Sequence, residues 1–293
     1  MEKEIPNILF NRYKSMEIEV MTFTQLSSRL QRSKDHDPFA PHRINFFLIL
    51  IVSKKSYTHF VDFKSYTLKA GSALFIAKNQ VHRFEEGLRE ADGFAIVFSG
   101  VFIEKYYLLS ENLKLNRLFN YHIESPVIHQ KEMRQDSFIG LANKLHEEYV
   151  FPNDFAKSDM LRTLLHVLLL KAERAKEMQS AVHSVKVRWL EIFGSFKKML
   201  EKEYANTRSS RFYADKLLVS YKFLNDVVKK MTGKTVKTFI DDFVTIEIKR
   251  YLVSTRLSIK EIAYQTGFEE PANMIKFFKK NTQTTPLKFR QQK

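Results

Sequence analysis

Lys222, Asn225 and Asp226 place a cation, an amide and a carboxylate within little more than one helical turn of each other. On the exposed side of a helix these groups suit, in order, the acceptors of guanine, the paired donor and acceptor of adenine, and the amino group of cytosine. Tyr221 and Lys229 fall on the same outward side, and Ser220 just before them is a natural N-cap. A second candidate chemistry lies upstream, where His36, His42, His59 and His82 raise the possibility of a metal site. Metal cupins use a His-x-His pair with a glutamate and a later histidine. Here His42-Arg43-Ile44 breaks that pair, so these histidines are read as structural or ligand-contacting, with no metal and no cofactor. No Gly-rich phosphate loop, Gly-x-Ser-x-Gly elbow or His-Glu-x-x-His occurs either.

The outward trio needs a frame, and the spacing supplies one. Tyr213 to Leu218 reads as a short helix with the small Ala214 on its inner side, Val219 as a turn, and Tyr221 to Met231 as a helix that buries Leu224, Val227 and Val228 and stops at Thr232-Gly233. The pattern recurs fifty positions on: Val228-Lys229-Lys230-Met231-Thr232 returns as Phe278-Lys279-Lys280-Asn281-Thr282. There Ile259 to Tyr264 is the supporting helix and Gly267-Phe268 the turn. The next helix begins near Glu270-Pro271, where proline at the first position costs nothing, and runs to Asn281. Two helix-turn-helix units are thus expected at about 211–233 and 258–282. Thr235 to Ser254 between them reads as one helix of 20 residues, about 30 Å long.

Charge agrees with this division. Of 48 basic and 33 acidic residues in the 293-residue chain, 23 basic and 11 acidic lie from Lys186 onward, so the excess of cations sits on the helical end. Such a field attracts polyanions, nucleic acid above all. The upstream half reads differently. Short β-rich runs at Asn45 to Val52, Tyr57 to Asp62, Ser65 to Lys69, Ala73 to Ile76 and Gly93 to Phe98 suggest an antiparallel barrel. Two amphipathic helices follow, Met133 to Tyr149 and Asp154 to Gln179. Their leucines can pack on the barrel and carry a homodimer contact as well. The predicted architecture is α+β with two domains, 1–175 and 187–293, and a linker at 176–186.

The C-terminal motifs closely resemble the DNA-binding domain of the AraC/XylS family of transcription regulators. The resemblance runs from Phe193 to Arg290 and rests on Tyr213-Ala214-Asp215-Lys216-Leu217, Val228 to Lys234, Ser258 to Ala263, Gly267-Phe268, Phe277 to Lys280 and Thr285 to Arg290. Two departures stand out: Gln283 replaces a glycine, which should shift a loop, and Pro271-Ala272-Asn273-Met274 replaces a polar and aromatic helix start. Phe60 to Phe63, Gly71 to His82 and Gly93 to Phe98 resemble, more loosely, the family's cupin-like effector domain.

The resemblance implies sequence-specific binding of double-stranded DNA, a small-molecule effector, a homodimer, contact with RNA polymerase, and no membrane partner. It implies DNA contacts at Ser220, Tyr221, Lys222, Asn225, Asp226 and Lys229 in the first unit. In the second they are Glu270, Pro271, Ala272, Ile275, Lys276 and Lys279. Because Pro271, Ala272 and Ile275 can only touch a thymine methyl, base discrimination is expected mainly from the first unit, with Lys276, Lys279 and Lys280 on phosphates. An effector pocket is expected at His42, Phe46, Phe60, Phe75 and His82. The rival reading is a metal-dependent cupin enzyme with an accessory nucleic-acid-binding domain. The DNA-repair methyltransferases that share this helix-turn-helix need cysteine, and the chain has none. With no long apolar run and no leader-like start, the chain is expected to be soluble and cytoplasmic.

Overall fold

A computed structural model describes residues 7–8, 17–32, 37–62, 64–102, 118–119, 125–129, 137–152, 155–179 and 187–291. His36, Phe63, the start of the first expected helix and 180–186 of the expected linker lie outside the described residues. The chain divides into two compact units, Ile5–Ala181 and Val182–Lys293.

Among the described residues of the first unit, ten strands form two five-stranded sheets. One is ordered β1 (Asn7–Ile8), β3 (His42–Ile44), β8 (Val81–Arg83), β5 (Ser56–Val61), β6 (Lys64–Lys69). The other is ordered β10 (Val127–His129), β7 (Ser72–Ile76), β4 (Phe47–Lys54), β9 (Asp92–Phe98), β2 (Ile18–Thr22). The sheets remain separate, so the expected barrel is an open, two-sheet arrangement. Helix α1 (Phe23–Gln31) starts at a capping box in which Thr22 and Gln25 satisfy each other's backbone N–H.

Strand parity shows where the cores lie. Leu48, Leu50, Leu74, Ile76 and Ala95 face inward onto Ile44, Tyr57, Val61 and Leu68 of the first sheet. On the opposite face of the second sheet Ile49, Ile51, Phe75, Ile96 and Phe98 meet Phe138, Leu141 and Leu145 of α2 (Phe138–Val150) and Leu161, Leu165, Leu168 and Leu169 of α3 (Lys157–Gln179). With both faces covered, β4 has no solvent side, and its unbroken apolar run Leu48 to Val52 is fully buried. Helix α3 runs through Lys176 to Gln179, so that part of the expected linker is helical.

The described residues of the second unit form helices and their connections: α4 (Val187–Glu203), α5 (Ser210–Lys216), α6 (Tyr221–Thr232), α7 (Val236–Ser254), α8 (Ile259–Gln265), α9 (Pro271–Thr282) and α10 (Pro286–Gln291). Helix α7 is its axis. Val236, Ile240, Val244, Ile248 and Leu252 are buried, and so are Phe239 and Phe243, which meet Phe193 of α4 and Tyr204 at ring-centroid distances of 5.5 Å each. Because helices pack on it from several sides, α7 also buries polar groups, among them Arg250, paired with Glu247 one turn away.

Candidate nucleic-acid interface

Each half of the second unit is a supporting helix, a tight turn and an outward helix, built from the same local parts. Ser209 caps α5 and Ser258 caps α8, each accepting from a backbone N–H three residues on. The turns close through a left-handed residue, Leu218 at φ 54° in the first and Gly267 at φ 76° in the second. Ser220 then caps α6, accepting from the Phe223 N–H at 3.1 Å, while Pro271 occupies the first turn of α9. Both outward helices have 12 residues. They end alike: the N–H of Gly233 donates to the Lys229 carbonyl at 2.8 Å, and that of Gln283 to the Lys279 carbonyl at 2.9 Å. Gln283 adopts φ 60° where Gly233 has φ 71°, so the glutamine preserves the helix end instead of shifting the loop.

The burial pattern repeats with the same offset. Leu224 and Val228 in α6, and Met274 and Phe278 in α9, are buried; Lys222, Asp226, Lys229 and Lys230, and Ala272, Lys276, Lys279 and Lys280, are exposed. Tyr221 is exposed beside Lys222, and Ser220 and Glu270 are exposed at the helix starts. Pro271 and Ile275 are half-buried, which leaves Ala272 as the open apolar contact of the second helix.

Two residues differ from the sequence reading. Asn225 is half-buried, and its Oδ1 accepts from the Val236 N–H at 3.1 Å, satisfying a first-turn donor of α7. A bidentate contact to adenine needs that same oxygen, so base reading by Asn225 has to share it with the joint between α6 and α7. Asn273, by contrast, is an exposed amide on the first turn of α9, in line with Lys276 and Lys280 at helical spacing. That i, i+3, i+7 spacing was the available signal for it. Each outward helix thus carries an amide, Asn225 half-buried in α6 and Asn273 exposed in α9.

Electrostatics favour a polyanion along this surface. Asp241 of α7 lies near Lys237, Lys280 and Arg208; burial raises its pKa against those cations. Lys234 is engaged with Asp242 at 2.6 Å.

The expected effector residues do not converge. His42, His59 and His82 cluster on the inner face of the first sheet with Tyr57 and Phe84. His59 bonds to Tyr57 Oη through Nδ1 and to His82 Nδ1 through Nε2, both at 3.0 Å. Phe46 packs at the edge of the core between the sheets, whereas Phe75 faces the helices on the far side of the second sheet. Phe60 points to the other face of the first sheet, under Arg83 at 4.6 Å. Strand alternation thus separates residues that hydrophobicity alone had grouped. Among the described residues no group of three or more His, Asp or Glu is placed to hold a metal ion. No helix among them is long and apolar enough to cross a membrane.

Two matched helix-turn-helix units on one connecting helix define a DNA-binding transcription regulator, and residues 213–292 match the family described as a helix-turn-helix domain. The chain is 20% identical over 262 residues, 86% of its length and 88% of the relative's, to the HTH-type transcriptional activator RhaS of Escherichia coli strain SMS-3-5. It is 26% identical over 164 residues, 52% of this chain and 57% of the relative, to the Msm operon regulatory protein of Streptococcus mutans. A solved structure of ToxT from Vibrio cholerae aligns over 94% of this chain and 98% of its own, at 16% identity and a TM-score of 0.46. Over residues 213–292 the chain thus carries an AraC-type helix-turn-helix domain, and the relatives that it resembles over most of its length are named transcription regulators. The rival reading as a metal-dependent cupin enzyme finds no support among these relatives.

Proposed function

We propose that one chain reads two successive major-groove segments of duplex DNA, with α6 in one and α9 in the next. The supporting observation is the repeat of burial and exposure between these helices, at either side of a connecting helix of 19 residues, about 29 Å long. That length is close to one turn of B-DNA, as entry into successive grooves on one face requires. Lys222 and Asp226 read bases in the first segment, with Tyr221 against the backbone or a thymine methyl. Ala272 and Asn273 read the second. Ser220, Lys229, Lys276, Lys279 and Lys280 contact phosphates, and Glu270, Pro271 and Ile275 set the entry of α9. Asn225 acts chiefly as the joint between reading and connecting helices.

The N-terminal unit senses a small-molecule effector and pairs two chains. The leucines of α3 are taken up by its own sheet, so the dimer contact falls to the end of the α2–α3 hairpin. There Val150, Phe151, Phe155 and Met160 are 56%, 58%, 94% and 49% exposed. This reading includes contact with RNA polymerase and work in the cytoplasm, where such a regulator meets its DNA. Sedimentation tests the assembly: the wild-type chain should be dimeric at tens of micromolar and Phe155→Glu monomeric, whereas a monomeric wild type would exclude it.

A further inference from the structure

We propose that Arg208, in the connection between α4 and α5, is a positioning residue that fixes the second reading helix relative to the first. The inference rests on the two-groove reading above and concerns what holds the two helices in register. The connecting helix α7 is one link between the two helix-turn-helix motifs. The structure contains a second link that runs beside it.

That link begins at the first helix-turn-helix, where the Tyr213 hydroxyl of α5 donates to the Thr207 carbonyl at 2.9 Å and the Thr207 N–H donates to the Glu203 carbonyl at 2.9 Å. Thr207 is thus tied to both α4 and α5. The next residue, Arg208, reaches across to the second helix-turn-helix. Its Nη2 donates to the Gly267 carbonyl at 2.7 Å, in the turn between α8 and α9. Its guanidinium carbon lies 3.7 Å from the centre of the Phe268 ring and 5.8 Å from that of Phe277, which is on the second reading helix itself. Burial opposes the charge of Arg208, and Asp241 on α7 supports it.

The approach is close in a second, independent respect. A Cβ on Gly267 would lie 2.0 Å from the Ala205 carbonyl oxygen, so the α4–α5 connection seats directly on the backbone of the second turn. Only a planar, multiply donating cation can stack on Phe268 while donating in its own plane to the turn carbonyl. A lysine ammonium keeps the charge but cannot do both. Two reading helices that must enter adjacent grooves together need a fixed separation, and Arg208 supplies a rigid stop on that separation.

The test uses the full chain. A duplex enriched from a random pool by the wild type is compared with duplexes in which one or the other segment is scrambled. Arg208→Ala should bind the intact two-segment duplex about tenfold more weakly than wild type. It should match wild type within about twofold on both one-segment duplexes. It should also lose less affinity than wild type when one base pair is inserted between the segments. Arg208→Lys should fall between the two, and the melting of either variant, followed by Trp189 fluorescence, controls for folding. Equal losses on intact and one-segment duplexes, or no loss at all, would overturn the positioning role while leaving two-groove reading intact. Failure of the wild type to enrich any two-segment sequence would instead overturn the reading on which it rests.

Discussion

Lowering the pH from 7 to 5 should loosen the N-terminal unit, and His59 gives the size of the effect. Its ring is fully buried, held by Tyr57 Oη on one side and His82 on the other. Burial first, and the neighbouring His42 second, lower its pKa from 6.5 to about 3. The unfolded chain takes up a proton on this ring near pH 6.5, whereas the folded chain resists until about pH 3. Between those values the unfolded state binds more protons, so stability falls as the pH falls, by about 1.4 kcal/mol per unit. At pH 5 the loss is about 2 kcal/mol, which corresponds to roughly 30-fold more frequent opening. Hydrogen exchange of the full chain, read on peptides spanning β5 and β8 and corrected for the intrinsic pH dependence, measures this directly. His59→Gln retains a donor and an acceptor but does not titrate, and should flatten the slope. Unchanged opening of wild-type β5 between pH 7 and 5, or an equal slope in His59→Gln, would refute the reasoning.

The DNA-reading unit gives three further expectations. Gly267→Ala should lower stability by at least about 2 kcal/mol in urea titrations followed by Trp189 fluorescence, because the site is left-handed and the added carbon meets the Ala205 carbonyl. Asn225→Ala should lower it by about 1 kcal/mol through loss of the bond to the Val236 N–H. The enriched DNA sequence should stay the same, and a changed base at one position would restore Asn225 as a reader. Lys279→Ala, at an exposed lysine near the end of α9, should weaken binding to all duplexes by a common factor. Its log-affinity against log-salt slope should be shallower by about one, and a sequence-selective loss would contradict a phosphate contact.

Local signals in the sequence were enough for the reading helices, because their ends depend on nearest neighbours. Ser220, Gly233 and Pro271 act within one turn of where they stand, and each takes its expected place. The strands at β4 to β7 and β9 were legible from alternation and turns, to within two residues at each end. Strand β2 and helix α1 were not read, although Thr22 and Gln25 carry a capping box, because Ile18 to Thr22 is short and pairs only with the distant β9. The expected effector residues fall on different faces for a related reason. Parity assigns a residue to a face, but which sheet and which layer that face meets is a long-range property, so Phe60 and Phe75 could not be told from His42 and His82. Asn225 and Arg208 belong to the same class. Their partners, the Val236 N–H and the Gly267 carbonyl, are 11 and 59 positions away, and the sequence carries no local mark of either bond.

Hydroxyl-radical footprinting of the full chain, on a duplex enriched from a random pool and held at one bound chain per duplex, tests the central claim most directly. Two protected segments on one face, separated by about ten base pairs, are the predicted result, with Lys222→Ala weakening protection of one and Lys276→Ala of the other. A single protected segment per chain, or protection of two segments that both substitutions affect alike, would contradict the reading of two successive grooves by α6 and α9.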